Sequence, residues 1–336
     1  MLAPFLLFIQ TIFALSPANN HTNPKPYPHK ITIVRNESQL QKALDNAQKG
    51  DEIYMTEGIY HGQFVIPANH SGTPDQPILL RGNSKVILDA GTTETNYVLH
   101  LQAHHWTLQN FTITNGLKGL VCDGANYNIL DSLTVHEIGE EAIHLRKFSS
   151  HNIIQHCNVY NTGLKTPDYG EGIYIGTATS NWSKYTNGEP DKCDENIVQY
   201  NTIGPNVAAE CIDLKEGTTG GIIRDNNFNS KGITGANSAD SWIDVKGNHY
   251  LIENNIGYNP PGSILKDGFQ VHCAYEGWGN NNIFKSNNCQ VNSTGYGINI
   301  TLTSSKGKAT GNQVYDNNKA SGAESGVSNI PLTPSK

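Results

Sequence analysis

An all-β parallel solenoid is the fold class this sequence predicts, on three observations: a short apolar/polar alternation that keeps returning, a second apolar pattern between its copies, and a composition unsuited to helices. The first pattern reads Leu99-His100-Leu101, Leu120-Val121-Cys122, Ile143-His144-Leu145, Ile173-Tyr174-Ile175, Ile212-Asp213-Leu214, Ile243-Asp244-Val245, Phe269-Gln270-Val271 and Ile298-Asn299-Ile300. Alternation over so few residues marks a strand with one buried face. Between these copies come Asn128-Ile129-Leu130, Asn152-Ile153-Ile154, Asn196-Ile197-Val198, Ile222-Ile223, Leu251-Ile252 and Asn282-Ile283-Phe284. The 336 residues include 33 glycines and 39 asparagines, which are poor helix formers and exclude a coiled coil or helical bundle.

Taken in order, the chain opens on an apolar run from Leu2 to Leu15 followed by Ser16-Pro17-Ala18, which reads as a secretory signal peptide over residues 1–18. A polar linker, 19–30, follows. Seven Asn-x-Ser/Thr sequons, at Asn20, Asn36, Asn69, Asn110, Asn181, Asn292 and Asn299, fit an extracellular glycoprotein. The six cysteines include no C-x-x-C pair, so disulfides are expected rather than zinc. Leu40, Ala43, Leu44 and Ala47 behind Ser38 predict a short helix over 38–47 that caps the solenoid. The solenoid is expected over 31–318 as a single domain, and 319–336 reads as a polar tail. Spacings of 21, 23, 30, 39, 31, 26 and 29 residues between the first-pattern strands describe coils of variable length, whose insertions form outer loops. Three residues after each second-pattern strand stand Leu133, Cys157, Asn201, Asn226, Asn255 and Asn287, so four amides stack in one column. No later run is long enough to cross a bilayer, and a net charge of −7 argues against nucleic acid as a partner.

The helix, the segments Gly50-Asp51-Glu52-Ile53-Tyr54 and Gly58-Ile59-Tyr60, the stacked alternating strands and the Asn column together resemble the right-handed parallel β-helix of the pectate-lyase-like superfamily. That resemblance implies the fold and its hand. The superfamily holds lyases, hydrolases, epimerases and adhesins, so the reaction has to be argued from residues.

With the Ile and Leu positions turned inward, the residues between and after them share one outer sheet face. One column on it is His100, Val121, His144, Tyr174, Asp213, Asp244, Gln270 and Asn299; the next is Gln102, Asp123, Arg146, Gly176, Lys215, Lys246, His272 and Thr301. A third, ahead of the strands, is Glu141, Glu171, Glu210, Ser241 and Asp267. Such a face suits a sugar acid. Elimination across a 4-linked uronide needs the carboxylate neutralised, a base for the C5 proton and an acid for the leaving oxygen. Glu210, Asp213, Asp244 and Asp267 are the candidate ligands of a Ca²⁺ ion that would neutralise the carboxylate. Lys215 or Lys246 is the candidate base, each expected to lower the other's proton affinity, with Tyr174, His272, His144 or Arg146 as acid or charge stabiliser. His144, Glu171, Gln270, Trp182 and Trp242 are the candidate sugar contacts, and the insertions 177–195 and 230–240 the candidate groove walls.

The run Glu210-Cys211-Ile212-Asp213-Leu214-Lys215 is similar to the acidic-then-Lys stretch of family-six polysaccharide lyases. There, an acidic residue ahead of the Lys binds Ca²⁺ and the Lys works with an Arg of the following coil, where this chain has Lys246. The expectation is therefore a secreted, monomeric polysaccharide lyase acting on an acidic, uronate-containing glycan. Two alternatives are a β-helical glycoside hydrolase, with Asp213 and Asp244 about 5 Å apart, and a non-catalytic carbohydrate-binding protein.

Overall fold

The inward Ile, Leu and Val of the two strand patterns stack on their equivalents one coil away and meet the other sheets across the core, and this packing builds the molecule. In the computed structural model, which describes residues 30–335, strands of successive coils pair in parallel to give one sheet of 12 strands and two of 10. Leu99, Leu120, Ile143, Ile173, Ile212, Ile243, Phe269 and Ile298 are register neighbours, each 1% exposed or less. The signal peptide and all but the last residue of the linker lie outside the described residues. Among the described residues no helix is long and apolar enough to cross a membrane.

One residue in the left-handed region turns the chain from the 12-stranded sheet to the next: Tyr200, Asp225, Asn254 and Ser286 have φ of 58, 54, 55 and 56°. The Asn that follows each sends its amide along the stack. Asn201, Asn226, Asn255 and Asn287 each donate through Nδ2 to the Oδ1 of the next, ending on Asn318, at 2.9–3.0 Å. A second ladder, absent from the sequence reading, joins Asn128, Asn152 and Asn196 at 3.1 Å.

Four expectations need correcting. The helix is Glu37–Leu44 and its cap is Asn36, not Ser38, because Asn36 has extended backbone (φ −157°) and accepts from the Gln39 N–H at 2.9 Å. Leu40 and Leu44 join the core. Residues 319–335 are not simply a tail: Lys319–Ala323, Gly326–Ser328 and Leu332–Thr333 add strands to all three sheets. All six cysteines are free and buried, packing as small apolar residues. Trp242 lies inside the solenoid, fully buried and edge-on to Phe269 at 6.1 Å, so it does not face the groove.

Candidate active site

The groove lies on the 10-stranded sheet that runs from Phe64–Ile66 to Gly326–Ser328. Its register brings His144, Tyr174, Asp213, Asp244, Gln270 and Asn299 into one outward column, one residue per coil. A concavity of about 710 Å³ runs along the second half of it, lined by Tyr174, Asp213, Lys215, Asp244, Lys246 and His272 together with Glu171, Glu210 and Gln270. The two insertions supply walls: Ala178, Ser180 and Asn181 on one side, Asn237, Ser238 and Asp240 on the other.

Unlike charges alternate across the floor. Asp213 takes Lys215 Nζ on Oδ2 at 2.6 Å and Lys246 Nζ on Oδ1 at 2.8 Å. Lys246 also reaches Asp244 at 2.5 Å, whose other oxygen meets His272 Nδ1 at 2.7 Å. Burial works against the charge on Lys215, yet Asp213 and then Glu171 hold its proton affinity well above the lysine range. Lys246 is raised likewise: burial opposes, but Asp213 and Asp244 prevail. Lys215 does lower Lys246, as expected of two neighbouring ammoniums, but the attraction of Asp213 and Asp244 outweighs it. Burial would protonate Asp244, but Lys246 and His272 keep it well below the usual carboxylate range. His272, despite burial, is raised above 6.5 by Asp244.

Tyr174 forms the platform beneath Lys215, with Nζ 4.9 Å from the ring centroid. Burial and the Asp213 charge hold its hydroxyl protonated. His144, expected to touch sugar, lies under Tyr174 with 4% exposed, edge-on at 4.5 Å and bonded through Nε2 to Gly176 O at 3.0 Å. It supports the tyrosine and does not line the groove.

The acids sort differently from the sequence reading. Glu171, Glu210 and Asp213 bring oxygens within 4.8 Å of one another. Burial and the charges of Glu141 and Asp213 raise Glu171, and burial with Asp213 raises Glu210 to about 8. Glu171 Oε2 is buried with no hydrogen-bond partner among the described residues. An oxygen-only, carboxylate-rich set with an orphaned donor fits a hard divalent cation. Asp244 is committed to Lys246 and His272. Asp267 is fully buried and accepts from Gln270 Nε2, Asn299 Nδ2 and Tyr296 N at 2.9, 2.9 and 2.6 Å, which holds the sheet together.

Arg146 lies outside the groove. Its guanidinium is clamped to Asp123 at 2.5 Å and sandwiched between the Tyr97 and Tyr185 rings, at 5.3 and 4.5 Å. Trp182 is similarly tied down, 5% exposed, its Nε1 donating to Thr177 O at 3.0 Å and its ring edge-on to Tyr275. Ser180 and Asn181 line the groove within the insertion expected to wall it, whereas Glu216 and Lys266, which also line it, were missed by sequence reasoning. Glu216 directly follows Lys215, which was its only signal.

The family model described as Pel9A-like, right handed beta helix region, matches residues 27–259. A curated pectate lyase PEL9 of Emericella nidulans is 28% identical over 137 residues, covering 36% of this chain and 33% of that protein, so the match spans about a third of that relative. The crystal structure of an alginate lyase from Paenibacillus sp. str. FPU-7 is 39% identical, covers 90% of this chain and 99% of its own, and has a TM-score of 0.79. Pectate lyase Pel9A superposes with a TM-score of 0.57 at 14% identity, over 84% of this chain and 79% of its own, a likeness of fold alone.

Proposed function

The chain belongs to the Pel9A-like right-handed β-helix family, and from that premise and the groove we propose that it is a polysaccharide lyase that cleaves a uronate-containing glycan by β-elimination. The observation that carries this reading is the Lys215–Asp213–Lys246–Asp244–His272 chain laid across a groove floor beside Tyr174. It combines cationic partners for a sugar carboxylate with proton-transfer groups. Among uronate polymers, alginate is the first substrate to try, because the Paenibacillus protein, 39% identical over nearly its whole length, is named for it.

In the reaction the C5–H and C4–O bonds break and the C4–C5 double bond forms; the base keeps the C5 proton and the acid delivers one to the departing O4. A Ca²⁺ held by Glu171, Glu210 and Asp213 would neutralise the uronate carboxylate and weaken the hold of Asp213 on the Lys215 proton. Lys215, having first released its own ammonium proton to solvent, accepts the C5 proton as the neutral amine. Tyr174, protonated and beneath Lys215, supplies the proton to O4. Lys246 adds positive charge on the carboxylate side.

One observation favours a second assignment. His272 Nδ1 is held by Asp244 at 2.7 Å, which orients the ring for proton transfer through Nε2. In that reading His272 is the base and both lysines clamp the carboxylate. The Lys215 variants separate the two. Lys215→Ala is expected to lose about a hundredfold or more in kcat in either case. Lys215→Arg stays inactive if Lys215 is the base, since Arg does not deprotonate. Near-normal turnover by Lys215→Arg would overturn that role and move it to His272. For the cation, chelator should abolish activity and lower Tm, and Ca²⁺ restore both; full activity and an unchanged Tm in excess chelator would contradict it.

The N-terminal apolar run and the sequons support secretion.

A further inference from the structure

The groove has two unlike sides. Its floor offers ammonium groups, whereas the wall beside it offers neutral and acceptor groups: the Ser180 hydroxyl and Asn181 amide of the first insertion, and the Glu216 carboxylate that follows Lys215. Ser180 and Asn181 are exposed. Glu216 is 4% exposed, and its Oε1 accepts both the Thr179 N–H and the Thr179 hydroxyl at 2.6 Å. These bonds latch the insertion to the residue next to Lys215. Its second oxygen, Oε2, is buried with no hydrogen-bond partner among the described residues. A buried carboxylate oxygen left unpaired costs about 1–3 kcal/mol or more, so an acceptor kept in this state beside a groove signals a donor that arrives with the ligand.

A 4-linked uronosyl ring has matching edges. The carboxylate stands on C5, and free hydroxyls stand on C2 and C3 across the ring. When C5 and its carboxylate face Lys215 and Lys246, the hydroxyl edge is turned away from the ammoniums. We propose that Ser180, Asn181 and Glu216 form a hydroxyl-recognition subsite that reads the C2/C3 edge, Glu216 Oε2 accepting from a ring hydroxyl as the wall settles on the substrate. The wall then selects uronate residues whose C2 and C3 hydroxyls are free and rejects those carrying O-acetyl groups, which can accept but not donate. This inference rests on the lyase reading and adds its specificity.

The Glu216→Gln variant isolates the claim, because Gln keeps Oε1 for Thr179 and replaces only the unpaired acceptor with a donor. Protein made in a bacterial host, where the Asn181 sequon carries no glycan, is assayed on alginate and on the same alginate 2,3-O-acetylated. The wild type should cut the acetylated polymer at least about tenfold less efficiently. In Glu216→Gln, KM on plain alginate should rise about tenfold with kcat within about threefold, and the preference for plain over acetylated polymer should collapse. An unchanged KM, or a preference as strong as in the wild type, overturns the subsite. If Glu216→Gln does not fold, the exposed pair Ser180→Ala/Asn181→Ala is read against the same two criteria. If the wild type releases no unsaturated ends from alginate, pectate or glucuronan, the lyase reading fails separately, and affinity electrophoresis in gels of those polymers decides the subsite. Weaker retardation of the variant supports it, and equal retardation overturns it.

Discussion

A buried amide in the Asn ladder has no other source of hydrogen bonds, which makes single residues there decisive. Asn255 Oδ1 accepts from the Asn226 N–H and amide, and its Nδ2 donates to Ile223 O and Asn287 Oδ1. Asn255→Ala strands several of these groups and should cost about 3 kcal/mol, read as a fall in the urea midpoint; a loss under about 1 kcal/mol would contradict the ladder's role. The column was legible because the Asn repeats follow a fixed offset from each apolar pair. The cysteines were not, because spacing says nothing of what lies across the core from a thiol. Denatured protein should titrate six thiols without reductant, while the folded protein gives none, since all six are buried. A count of four or fewer after denaturation would restore a disulfide. At His272 the sign is also fixed: Asp244 raises the folded pKa above 6.5, so the stabilisation is complete below the unfolded value and fades as pH rises through the folded one. An NMR titration should find that midpoint above 6.5, and Asp244→Asn should lower it by about one unit or more.

Among the elements, the first insertion shows where sequence reasoning stops. Its length announced a wall, and Ala178, Ser180 and Asn181 do line the groove. Periodicity could not say which residues fasten it. Arg146 sits on the outward column and so read as catalytic, but Tyr185 of the short helix Trp182–Tyr185 folds back onto its guanidinium and Tyr97 closes the other face. Trp182, in the same insertion beside this face, was expected to meet sugar and instead packs against Tyr275. If Arg146 is a strut, Arg146→Met should destabilise the fold by about 2 kcal/mol, less than a fully broken buried pair because His100 and Lys147 still meet Asp123. KM should move more than kcat, because the strut holds the wall. A large fall in kcat with unchanged stability would return Arg146 to the chemistry.

At the scale of the molecule, the repeat made the architecture readable: eight alternating triplets fixed which residues face in, and hence which face out together. Partner choice on that outward face was less readable, since Asp213 and Asp244 face the groove on adjacent coils whether they bind a cation, two lysines or a sugar. A hydrolase would use them as a carboxyl pair, but Asp244 is held ionised between Lys246 and His272, and Asp213 is shared by two lysines. These commitments favour elimination over hydrolysis, and the fate of water separates the two reactions. Alginate digested in ¹⁸O-labelled water should give oligosaccharides whose new non-reducing ends are all unsaturated and whose new reducing ends carry no label from bond cleavage beyond slow anomeric exchange. Saturated non-reducing ends, with one labelled oxygen entering per cleavage, would contradict the account.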